Sequence, residues 1–120
     1  MTSENKLVLV LATGDGGLIA FPSAAEAEAH CKGIEVGDGA WLFFADDGSP
    51  LDARFIRPNR RGAFTVSGTY KLERALSGRW LQERLPEVKT VQGGGLNTID
   101  DLVEMLKVNR GKRVAPGGRK

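Results

Sequence analysis

The apolar residues of this chain fall into short runs, and the runs switch between strand-like and helix-like spacing. Residues 6–13 (KLVLVLAT) are nearly continuous in Val and Leu, the pattern of a strand covered on both faces. Residues 14–17 form a dense turn signal and residues 18–21 resume the apolar run, which predicts a hairpin closed at Asp15-Gly16. A helix follows over 24–32. Ser23 stands at its amino-terminal cap, Glu26 completes a capping box, and Gly33 lies where a left-handed carboxyl-terminal cap belongs. Ala24, Ala27, Cys31 and Ile34 recur at helical spacing and give that helix a narrow, small-residue stripe for close approach to a sheet.

Residues 40–45 (AWLFFA) read as a central strand, 46–50 (DDGSP) as a turn, 51–57 as the returning strand and 58–62 (PNRRG) as a second turn. The clearest alternation covers 63–72. Phe64, Val66, Tyr70 and Leu72 fall on one side, opposite Thr65, Ser67, Thr69 and Lys71, and Gly68 marks a bulge or a close helix approach. Residues 77–92 are ambiguous: Ser77 is placed to cap a short helix ending near Leu85, Pro86 stops it, and 88–92 suit a short edge strand. After the flexible break at 93–95, Thr98 and Asp101 form a second capping box, and Ile99, Leu102, Val103 and Leu106 form an apolar stripe.

The resulting order, β-β-α-β-β-β-(α)-(β)-α, predicts an α+β fold. Its sheet is mostly antiparallel with five or six strands, and two main helices, 24–32 and 98–108, pack on one face. Residues 1–108 form one domain, and 109–120, rich in Gly, Arg and Lys, are expected to be a disordered basic tail. The strands at 51–57 and 87–92 are candidate sheet edges at which a second copy would pair.

Cysteine usage and apolar run length narrow the setting. A single cysteine, Cys31, excludes an internal disulfide and fits a reducing compartment. The apolar run at 7–12 is shorter than a secretion-signal core, and nothing approaches the ~20 apolar residues of a membrane helix. The expectation is a bacterial-style cytoplasmic protein with no membrane association.

Charge adds what hydropathy does not show. Residues 1–53 hold two lysines against nine carboxylates, whereas residues 54–120 hold fifteen basic residues against six acidic ones. Six of those positive charges lie within 107–120, unaccompanied by any acid. The arginines at 54, 57, 60 and 61 cluster around the turn at Pro58, with Arg74, Arg79 and Arg84 further on and Tyr70 and Trp80 as aromatic company. Arginine is favoured at interfaces and at phosphates, so Arg54, Arg57, Arg60, Arg61, Arg110, Lys112 and Arg113 are the candidate partner-binding residues. The competing reading is a solvated face that pairs with the acidic half.

Catalytic chemistry finds little footing. His30 and Cys31 are neighbours on a helix, about 100° apart, so their side chains do not meet; Cys31 reads as core and His30 as a surface partner of Glu26. Asp46, Asp47 and Asp52 lack the ligand spacing of a calcium loop, and residues 14–17 precede a strand rather than the helix a phosphate loop needs. No cofactor or metal is expected. The sequence points to a small non-enzymatic accessory protein, adaptor or inhibitor in type, acting by contact with another protein. A nucleic-acid-binding accessory using the basic tail and the arginine loop is the alternative.

Overall fold

The computed structural model describes residues 7–118, with side chains through Arg110. Six strands, β1 (Val8–Ala12), β2 (Gly17–Phe21), β3 (Trp41–Ala45), β4 (Pro50–Arg57), β5 (Thr69–Arg74) and β6 (Thr90–Gln92), form one sheet in the order β5-β4-β3-β1-β2-β6. All neighbours are antiparallel except β2 and β6, which run parallel. The helices are α1 (Ala24–His30), α2 (Gly33–Gly37), a 3₁₀ helix (Leu81–Glu87) and α3 (Ile99–Gly118). The α+β class and the mostly antiparallel sheet are those expected. Among the described residues no helix is long and apolar enough to cross a membrane.

The continuous apolar run of β1 is explained by what covers it. Leu9 and Leu11 point into a core with Leu18, Phe44, Leu81, Leu102 and Leu106, beneath α3 and the 3₁₀ helix. Val8 and Val10 point the other way, into a core with Ala27, Cys31, Phe43 and Tyr70 beneath α1. Successive strand residues face opposite sides, so α1 and α3 lie against opposite faces of the sheet rather than sharing one. The face under α1 curves. That helix contacts β1, β2 and β5, although β5 and β2 are separated in the sheet by three strands.

Local signals set most boundaries. Thr98 and Asp101 complete a reciprocal capping box: the Asp101 amide donates to Thr98 Oγ1 at 3.0 Å, and the Asp101 carboxylate accepts from the amides of Asn97 and Thr98. The Glu26 amide likewise donates to Ser23 Oγ at 3.2 Å. Gly33, however, is not a left-handed cap. Cys31 ends α1 in an extended conformation, and Gly33 opens α2, which the sequence pattern did not disclose.

Other boundaries differ for tertiary reasons. The strand expected over 63–72 begins only at Thr69, because β4 ends at Arg57 with an irregularity after Phe55 and offers nothing further to pair with. The helix expected from Ser77 to Leu85 is instead the 3₁₀ turn of 81–87, which contains Pro86 and starts from Trp80. β4 lies inside the sheet, so the edges are β5 and β6. α3 runs to Gly118, past the expected end at Val108, and its first extra residues are anchored. Asn109 Nδ2 donates to the Asp46 carbonyl at 2.9 Å, and the Arg110 guanidinium lies 4.5 Å from the Trp80 ring centre.

Candidate interaction surface

The far end of the β4–β5 hairpin, residues 58–68, is where the sheet runs out of partners. Only Arg60 and Val66 pair there, exchanging two backbone bonds of 2.9 Å. Asn59 fastens the root. Its amide nitrogen donates to the Gly33 carbonyl at 2.9 Å, and its oxygen accepts from the Gly68 amide at 2.7 Å. Three glycines make room for it. A Cβ on Gly33, Gly37 or Gly68 would stand 2.8, 2.7 or 2.9 Å from an Asn59 atom. Gly68 is therefore a site of close approach, as its place in the apolar register suggested.

Beyond that anchor the apolar side chains have no core to enter. Phe64 is 83% exposed, Ile56 54% and Val66 53%. Their alternation with polar residues is genuine, but it continues inward only at Tyr70 and Leu72, which pack under α1. A groove of about 590 Å³ runs from this end along α1, with Ile56 and Tyr70 on one wall and Ala25, Ala29 and Lys32 on the other.

The arginines divide into committed and uncommitted. Arg54 Nε meets Glu73 at 3.0 Å and Arg61 Nη2 donates to both Asp38 oxygens at 2.9 Å. Arg79 and Arg84 pair with Glu83 and Glu87 within their own segment, and Arg74 reaches Ser49 Oγ at 3.4 Å. Arg57 and Arg60 are exposed and make no ion pair among the described residues. Two of the named pairs, Arg61–Asp38 and Lys71–Glu28, tie the basic half to the acidic half. Both have a cation more than half exposed, and such pairs hold little energy.

The candidates are thus only partly gathered. Arg54, Arg57, Arg60 and Arg61 share the β4–β5 hairpin, whereas Arg110 sits over Trp80 on α3. Lys112 and Arg113 lie outside the residues whose side chains are described. Tyr70 lends no surface to the arginines. It is buried between Phe43 and Phe55, with ring centres 5.9 and 5.5 Å away, and its hydroxyl donates to the Cys31 carbonyl. Burial pushes its phenol well above the ordinary tyrosine range.

The remaining chemistry is quiet. Cys31 is buried, and burial, with Glu35 adding to it, pushes the thiol up to about 12, so thiolate is scarce near neutral pH. The His30 ring packs between Phe21 and Trp41, with centres 5.2 and 5.8 Å away, rather than against Glu26. In the β3–β4 turn, Asp47 Oδ1 accepts from Ser49 N at 3.0 Å and from Ser49 Oγ at 2.7 Å, which is turn chemistry. Asp52 stands apart on β4, opposite Glu73. Among the described residues no three His, Cys, Asp or Glu side chains gather as metal ligands would.

One edge of the sheet is covered. The Glu28 carboxylate accepts from the Leu72 amide of β5 at 2.9 Å, occupying a donor that another strand would need.

The molecule is an α+β domain with helices on both faces of a six-stranded sheet and its exposed aromatic residue at one hairpin end. Compared with protein-family models, curated proteins and solved structures, the chain matches none.

Proposed function

We propose that this is a non-enzymatic accessory protein of the cytoplasm, adaptor or inhibitor in type, which acts by docking the β4–β5 hairpin end on another protein. The observation that carries the reading is the exposure of Phe64, Ile56 and Val66 on one anchored hairpin, beside two arginines without ion pairs. Aromatic residues and arginine supply most of the energy at protein interfaces, usually around a central apolar anchor. Phe64 is that anchor, and Arg57 and Arg60 steer a partner whose facing surface is acidic. Asp38, Asp52 and Glu73 near the same hairpin disfavour a phosphate backbone as the partner.

The test places a photo-crosslinking phenylalanine analogue at position 64 of the full chain in its native cell. A single protein adduct is expected, lost when Arg57 and Arg60 are both changed to Glu. Absence of any protein adduct, or crosslinking chiefly to nucleic acid, overturns the reading.

A further inference from the structure

A second site lies away from the hairpin and shares no residue with it. Val103, Leu106, Lys107 and Arg110 recur at the spacing of one helix face, and that face of α3 looks across a groove of about 270 Å³ at Gln82 and Leu85 of the 3₁₀ helix. The floor is apolar. Leu106 is buried and Leu85 and Val103 are half-buried. Among the described residues none that lines the groove is acidic.

Glu83 and Glu87, the carboxylates of the 3₁₀ helix, are already held by Arg79 and Arg84 at 3.8 and 3.2 Å. Lys107 and Arg110 make no ion pair among the described residues. Arg110 is nevertheless positioned. Its guanidinium lies over the Trp80 ring, and a stacked guanidinium keeps its in-plane N–H donors free for a carboxylate fork.

We infer that this groove binds a small amphiphilic monocarboxylate, with its apolar chain along Leu85, Val103 and Leu106 and its carboxylate on Arg110 and Lys107. At about 270 Å³ the groove falls just below the roughly 300–1,000 Å³ of drug-sized pockets, which suits a short-chain molecule. A planar carboxylate matches the guanidinium edge, with Lys107 as a second point charge.

The experiment titrates the isotope-labelled full chain with octanoate and, separately, with octylamine, which carries the same tail and the opposite charge. Octanoate is expected to bind saturably, moving amide resonances in 82–85 and 103–110, and to weaken as salt is raised. Octylamine is expected to leave those amides in place. The exposed double variant Lys107→Gln/Arg110→Gln is expected to weaken octanoate at least about tenfold while keeping the wild-type spectrum elsewhere. Failure of octanoate to saturate, equal binding of octylamine, or binding that survives the double variant overturns the inference. Because Phe64, Arg57 and Arg60 lie outside this groove, none of these outcomes bears on the hairpin.

Discussion

Replacing Asn59 with alanine removes a part-buried side chain that ties the β4–β5 hairpin to α2. Two part-buried hydrogen bonds go with it, leaving the Gly68 amide without its partner and the Gly33 carbonyl with only its bond inside α2. A typical internal hydrogen bond contributes about 0.5–1.5 kcal/mol net, and a buried group left unsatisfied costs about 1–3 kcal/mol. Partial exposure lets water answer some of this, so the expected loss is about 1–3 kcal/mol, or several degrees in Tm for a domain of this size. The slot cannot refill. Its walls are Gly33, Gly37 and Gly68, and the Gly68 Cα is pressed so close to the Arg57 carbonyl that a methyl there would overlap it.

The assay is thermal and urea denaturation followed by circular dichroism, with hydrogen exchange at the Gly68 and Val66 amides. Local loosening is expected to exceed global loss, so those two amides lose protection well before the amides of β1 do. Asn59→Asp separates the two bonds. It keeps an acceptor for the Gly68 amide but sets a carboxylate against the Gly33 carbonyl, so Gly68 is expected to stay better protected than in the alanine variant. Unchanged Tm together with unchanged Gly68 protection in Asn59→Ala would refute the idea that this residue anchors the hairpin end.

The other predictions concern the core and the pH response. Leu102 is fully buried beneath the sheet in the cluster with Leu9 and Phe44, so Leu102→Ala is expected to cost about 2–5 kcal/mol in urea denaturation. A loss below about 1 kcal/mol would mean that α3 is not part of the cooperative unit. The Asp101 carboxylate is held below its ordinary value, chiefly by the Asn97 amide and then by Thr98, so it stabilises the fold when ionised. That contribution is present above the unfolded value of about 3.9 and fades as pH falls through the lower folded value. The Tm gap between wild type and Asp101→Ala is therefore expected near neutral pH and to close in acid; a gap that widens in acid contradicts the assignment.

The fold was most legible where local chemistry decided it. Both capping boxes were readable because Ser23 and Thr98 have their partners only three residues away. The β1–β2 hairpin was readable because Gly16 takes a positive φ, 78°, that its turn demands. What sequence could not supply was the identity of the cover on each face. An uninterrupted Val and Leu run says that both faces of β1 are buried, but not that α1 takes one and α3 the other. Nor did it reveal α2, five residues long, whose two glycines serve the packing of Asn59 rather than helix propensity.

The candidate surface was half legible for the same reason. Period-two alternation over 63–72 reported strand geometry without reporting whether a sheet existed to receive it. From Thr69 onward β4 is alongside, and Tyr70 and Leu72 go inside. Before Thr69, Pro58 has no amide to donate and Asn59 is turned into its glycine slot, so the pairing stops and the same pattern leaves Phe64 in water. The proposed docking surface lies where the apolar alternation outlasts its partner strand. Arginine clustering gave the neighbourhood, yet of the four arginines on the hairpin only Arg57 and Arg60 are without an ion pair among the described residues. Arg54 and Arg61 are held by Glu73 and Asp38, and Arg79 and Arg84 by Glu83 and Glu87, contacts that lie too far apart in sequence, or depend too much on side-chain direction, to be read from spacing.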